Sequence, residues 1–148
     1  MKVPDELKSA KDNEFLRARL NIHFTHNYLK YHLLDVIKPI KLPLNQFTVL
    51  RILKVEYPEN CSINGIKEQM FDKNSDVSRL VDRLLVKKLV VRKECKTDRR
   101  QKEIQITQRG IDLFKKINNH DDLLNSRINH LSLEEVTQLN NLLEKIRI

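Results

Sequence analysis

The stretch that decides the fold runs from Asp72 to Gly110, DKNSDVSRLVDRLLVKKLVVRKECKTDRRQKEIQITQRG. In its first half Val77, Leu80, Val81, Leu84 and Leu85 recur at helical intervals and form one apolar stripe, while Arg79, Arg83 and Lys87 follow one another at i+4 on another face. One face packs and the other stays wet and positive. Asn74 or Ser75 is expected to cap this helix by accepting from its first free N–H groups. After Lys88 the pattern turns β-branched and alternating through Leu89–Cys95. A polar tip follows over Lys96–Arg100, then a second alternating run over Lys102–Thr107. Two such runs joined by a polar connection predict a β-hairpin.

Charge is concentrated in the same place. Residues 72–110 hold 12 Lys or Arg against 6 Asp or Glu, which accounts for +6 of the chain's net +8. A basic helix and hairpin attract a polyanion by releasing its condensed counterions, and the exposed N-terminal end of a helix suits a phosphate or a base edge. The bland alternative is that these charges only solvate a small domain.

Outward from this core, residues Asp12 to Lys38 lack a helix breaker. Phe15, Leu16, Leu20, Phe24, Tyr28, Tyr31, Leu34 and Val36 keep largely helical spacing there, so one long helix is expected. Pro39 and Pro43 close it, and Asn45 is expected to cap a helix carrying Phe47, Val49, Leu50, Ile52 and Leu53. Pro58 marks a turn over Tyr57–Asn60. Ser62 then caps a short helix with Ile63, Ile66 and Met70. Beyond the hairpin, Thr107 is expected to begin a helix running to about Ile128. Ser132 with Glu135 forms a capping-box pattern ahead of Val136, Leu139, Leu142, Leu143 and Ile146.

A short helix, a tight connection and a polar second helix form a helix-turn-helix unit, and the hairpin supplies a wing. The fold class expected is mainly α with a small β wing. A single domain is expected, since 148 residues with 40% hydrophobic content bury one core and little more. Residues 44–110 would form the winged lobe, with helices from 1–38 and 111–148 for dimerisation. The terminal helices carry more apolar surface than a small wing domain needs, so a second copy of the chain is their expected partner about a two-fold axis.

These residues resemble the MarR-type winged helix-turn-helix transcription regulators. The motifs that carry the resemblance are Asp82-Arg83-Leu84, Leu89-Val90, Asp98-Arg99-Arg100 and Thr107-Gln108-Arg109-Gly110, in that order. The chain departs from the family at Lys88, where relatives carry Gly in the turn from helix to strand. A left-handed residue without Gly costs about 1 kcal/mol there. The resemblance implies a cytoplasmic, homodimeric regulator that binds a pseudo-palindrome in double-stranded DNA, a repressor released by a ligand or other signal.

The expected base readers are Ser75, Asp76, Ser78, Arg79 and Arg83, on or near the exposed N-terminal face of the helix; arginine to guanine is the commonest strong pairing. Asp76 has an equal claim to a helix-stabilising role, and Asp82 is expected to pair with a neighbouring helix or an arginine. Lys73, Asn74 and Ser62 are expected on phosphate. The resemblance further implies Arg100, with Arg99, in the minor groove while Asp98 fixes the wing turn or orients an arginine, and A/T-rich flanks follow from that. It also implies a crevice for small phenolic or aromatic anions near Asn27, Tyr28, Tyr31 and Phe47, with dimer packing as the alternative use of those four.

Other chemistry has less to stand on. Gly65 and Gly110 are the only glycines, which excludes glycine-rich nucleotide loops, and neither HExxH nor a catalytic triad order appears. His23 and His26 stand three apart with His32 two turns on, yet no Cys or acid pattern completes a tetrahedral metal set, so no metal and no cofactor is expected. Cys61, at a helix start, and Cys95, among Arg92, Lys93 and Lys96, are placed where a thiol can be acidified, against a default of plain reduced thiols. The charged start and the lack of about 18 uncharged apolar residues in a row leave no signal for a leader or membrane span. Two readings compete with a DNA-binding regulator: a winged-helix protein-interaction module without specific DNA binding, and an enzyme, which should show a strongly shifted pKa in a cleft.

Overall fold

The computed structural model describes residues 12–94, 102–117 and 120–147. Seven α-helices, a short 3-10 helix over Lys38–Ile40 and a two-stranded antiparallel sheet are present among them: α1 Glu14–Ile37, α2 Leu44–Glu56, α3 Ile63–Gln69, α4 Val77–Val86, β1 Val90–Glu94, β2 Lys102–Ile106, α5 Gln108–Phe114, α6 His120–Asn125 and α7 Leu133–Ile146. They divide into two compact units, a lobe over residues 37–118 and a helical unit built from 1–36 and 119–148.

The lobe is the winged helix-turn-helix, and its core draws on every element. Phe47, Leu50 and Leu53 of α2, Ile66 of α3, Val77, Val81 and Leu84 of α4, Val90 of β1, Ile104 and Ile106 of β2, and Phe114 of α5 are all buried. Val77, Val81 and Leu84 are the deep members of the expected α4 stripe, with Leu80 and Leu85 half-buried at its edges. The hairpin register pairs Val90 with Ile106 and Arg92 with Ile104, which turns the apolar side chains of both strands onto one face. Cys61 adds a bridge to this sheet, its N–H donating to the Ile104 carbonyl at 2.9 Å and its carbonyl accepting from Ile104 N at 2.8 Å.

Local chemistry explains most helix ends. Ser62 Oγ accepts from Gly65 N at 3.0 Å and starts α3, as the sequence predicts. Ser132 and Glu135 close a reciprocal capping box on α7, and these hydrogen bonds hold the Glu135 carboxyl below its ordinary pKa. Two expected starts are corrected. The N-cap of α2 is Pro43, not Asn45: the fixed φ of proline is compatible with a helix entrance, so Leu44 is already helical and no side-chain cap forms. The N-cap of α4 is Asp76, not Asn74 or Ser75, because Asp72 Oδ1 takes Asn74 N at 2.9 Å and the Ser75 N–H goes to the Asp72 carbonyl, holding both residues in the preceding turn.

The helix expected from Thr107 to Ile128 is interrupted. After Phe114 the N–H groups of Lys115, Lys116 and Ile117 each reach back three residues rather than four. That tightening ends α5 and turns Ile117 into the lobe core, 6% exposed. The next helix is α6, His120–Asn125.

The turn from α4 to β1 is built around Lys88, whose φ of 58° is left-handed. Thr107 stitches it down: its N–H donates to the Leu89 carbonyl at 3.0 Å, and its hydroxyl donates to the Lys88 carbonyl at 2.9 Å while accepting from Gly110 N at 3.1 Å. One threonine therefore caps α5 and holds the helix-to-strand turn. Replacing Lys88 by Gly removes about 1–2 kcal/mol of left-handed strain and adds about 0.4–1 kcal/mol of unfolded-chain entropy. Equilibrium urea unfolding of Lys88→Gly should show a net gain of about 0.5–1 kcal/mol. A loss of stability would mean that the turn carries no such strain.

In the helical unit no described side chain is buried. Phe15, Tyr31, Leu133, Leu142 and Ile146 are exposed, while His32 Nε2 meets the Leu123 carbonyl at 2.7 Å and Arg127 lies 5.5 Å from the Tyr28 ring centre.

Candidate nucleic-acid interface

The candidate recognition surface is the outer face of α4. Val77, Val81 and Leu84 anchor the helix in the lobe, and that anchoring turns Ser78, Arg79, Asp82 and Arg83 to solvent. At its start Asp76 Oδ1 accepts from Arg79 N at 3.1 Å. This bond gives Asp76 the helix-stabilising role foreseen for it.

The arginines differ in what they do. Arg79 and Arg83 have no side-chain partner among the described residues, so their guanidinium groups are free to donate. Arg92 is engaged: its Nη2 donates to Asp82 Oδ1 at 2.6 Å, tying β1 to α4. Both groups are more than half exposed, so the pair contributes little to stability and more to geometry. Sequence reasoning placed Asp82 with an arginine and did not name Arg92. The signal was the even spacing from buried Val90, which puts Arg92 on the same face of β1.

Of the residues expected on phosphate, Lys73 and Asn74 lie between α3 and α4, whereas Ser62 stands at the start of α3. Lys73 Nζ donates to the Glu68 carbonyl, the side chain of Asn74 is exposed, and the hydroxyl of Ser62 is occupied by its capping bond. Asn64, Lys67, Glu68 and Lys73 line an open depression of about 360 Å³ on this side of the lobe. Ser75 is half-buried and its Oγ, shielded from water, has no hydrogen-bond partner. Asp98, Arg99 and Arg100, together with Cys95, lie outside the described residues.

Burial bears on two further readings, and for Cys61 the default of a plain thiol holds. Cys61 is not an acidified thiol: burial, with Glu56, Glu103 and Glu68 around it, pushes its pKa up. Its place in the bridge to Ile104 makes it a small core residue. Phe47, expected near a ligand, is 1% exposed, with its ring 5.6 Å from that of Phe114 in the lobe core. Asn27, Tyr28 and Tyr31 are exposed on α1. Among the described residues no group of three His, Cys, Asp or Glu is placed to hold a metal ion.

Residues 40–101 match the model of the MarR family, from the end of the turn after α1 to the wing. Through that segment the chain is similar to the MarR family. Its MarR-type architecture extends beyond the segment. A mutant MarR of E. coli complexed with operator DNA superposes with a TM-score of 0.73 at 23% identity, over 90% of this chain and 96% of that one. The S. aureus MepR–DNA complex gives 0.73 at 24% identity with the same coverage. CouR of Rhodococcus jostii RHA1, bound to p-coumaroyl-CoA, gives 0.71 at 26% identity over 93% of this chain and 92% of that one. The MarR-type hallmark residues here have defined structural work: Asp82 holds Arg92, Thr107 clamps the Lys88 turn, and Gly110 lets β2 and the turn close on α5.

Proposed function

We propose that this chain is a homodimeric, sequence-specific regulator of transcription that binds double-stranded DNA and answers to a small-molecule or other signal. The observation that carries this reading is α4 itself: a capped helix, packed on one face, that offers to solvent Ser78 and also Arg79 and Arg83, both unpaired among the described residues, beside a hairpin. Such a helix fits the major groove. Arg79 and Arg83 would read base edges, Lys73, Asn74 and Ser62 would meet the backbone, and Arg100 with Arg99 would enter the minor groove from the wing, with Asp98 fixing its turn or orienting an arginine.

Dimerisation is supported by the helical unit, whose exposed Phe15, Tyr31, Leu133, Leu142 and Ile146 form more bare apolar surface than a monomer ordinarily keeps. Two lobes related by a two-fold axis would occupy half-sites about one helical turn apart. An effector would act by changing the spacing of the two reading helices. Asn27, Tyr28 and Tyr31 are the α1 residues assigned to it, and Arg127 over Tyr28 supplies a cation beside aromatic surface for an aromatic anion. The relatives bound to operator DNA and to p-coumaroyl-CoA support both halves of this reading. The action is binding without catalysis, in the cytoplasm; no helix among the described residues is long and apolar enough to cross a membrane.

Selection from random duplex DNA, run with the parent, Arg79→Ala and Arg100→Ala, tests the proposal. The parent should enrich a pseudo-palindrome. Arg79→Ala should lose about 1–3 kcal/mol of discrimination at one base pair per half-site. Absence of enrichment, or a pattern unchanged by both substitutions, would instead favour a protein-interaction module.

A further inference from the structure

The acid on the reading helix poses a problem that its partner solves. Asp82 lies three residues after Arg79 on α4, a spacing at which a carboxylate and a guanidinium readily pair. Such a pair would occupy the very donors that a base edge needs. In the structure it does not form: Asp82 Oδ1 is 2.6 Å from Nη2 of Arg92, and Arg79 is left without a partner among the described residues. Strand geometry enforces the choice. Arg92 shares a face of β1 with buried Val90 and sits opposite buried Ile104, so its side chain leaves the core edge toward α4 while Val91 and Lys93 alternate to the other face.

We propose that Arg92 is a positioning residue for base reading: by holding Asp82, it keeps that carboxylate away from Arg79 and neutralises the one acid in the middle of the exposed face of α4. The inference rests on the reading of Arg79 as a base contact. Arg92 need not touch DNA for this role, since it acts through Asp82. An Arg92 that merely bound phosphate would contribute equally to all sequences.

The experiment is selection from random duplex DNA with the parent, Arg92→Gln, Asp82→Asn and the double variant, each at two salt concentrations, with thermal unfolding of all four proteins to confirm folding. In Arg92→Gln the freed carboxylate turns to Arg79, and the preference at one symmetry-related base pair should relax about tenfold while the other positions hold. The double variant should recover the parental preference at that pair although neither charge remains. A uniform fall in affinity for Arg92→Gln, with a shallower salt dependence and no recovery in the double variant, would overturn the inference and make Arg92 an ordinary phosphate contact. Lack of any enrichment by the parent would overturn the DNA-binding reading and this inference with it.

Discussion

Gly110→Ala should lower the stability of the lobe by about 3 kcal/mol or more, at or above the top of the usual overpacking range. A Cβ at residue 110 would stand 2.4 Å from the Leu89 carbonyl oxygen and 2.7 Å from Cγ1 of Ile106. Neither atom can yield cheaply. The Leu89 carbonyl already accepts from Thr107 N at 3.0 Å, and Ile106 is 2% exposed in the core. Relief would require α5 to move away from the sheet, which would pull Thr107 off the Lys88 carbonyl and loosen the turn that aims α4 and the wing. Urea unfolding measures the effect, and a fall in Tm of roughly 10 °C is expected for a chain of this size. Gly65→Ala is the internal control. Its Cβ would lie 3.0 Å from Cys61 Sγ and 3.3 Å from Ser62 Oγ, both side-chain atoms, within a helix where Ala is intrinsically preferred. A Gly110→Ala protein as stable as the Gly65→Ala protein would show that the contact with Leu89 is not rigid.

Phe47→Ala is expected to cost about 3–5 kcal/mol, the usual range for emptying a buried aromatic site. The ring is 1% exposed, stacked in tilted geometry 5.6 Å from Phe114, with Lys54 Nζ 4.5 Å above that second ring. α2 cannot collapse into the space, because Leu50 and Leu53 on the same helix are themselves fully packed. A ligand-lining role predicts something else: changed effector affinity at nearly parental stability. Thermal unfolding separates the two, and a loss below about 1 kcal/mol would remove Phe47 from the structural core.

The wing and the recognition helix were legible in the sequence because each is written in a local period. Val77, Val81 and Leu84 repeat at helical spacing, and Val90, Ile104 and Ile106 alternate as strand residues; every one is buried as its period requires. Motif order did the rest, since Asp82, Leu89, Thr107 and Gly110 stand where a MarR-type lobe uses them. The cap at Ser132 was legible for the same reason: donor and acceptor lie three residues apart.

Tertiary structure decided what depends on residues far apart in the chain. Four polar candidates stand together before α4, and only the folded backbone, with Asp72 already engaged by Asn74, selects Asp76 as the cap. Helical spacing continues past Phe114, yet the core on one side of the chain takes Ile117 and ends the helix there. A cysteine beside a helix start can be acidic or a plain thiol, and the packing of Ile104 and three glutamates around it raises its pKa and decides for the plain thiol. Phe47 reads as a ligand wall or as dimer packing, and the arrival of Phe114 from 67 residues on makes it lobe core instead. Helical and strand periods are local and survive in the sequence, whereas the partner of a polar group, the burial of a thiol and the meeting of two rings exist only once distant segments have packed.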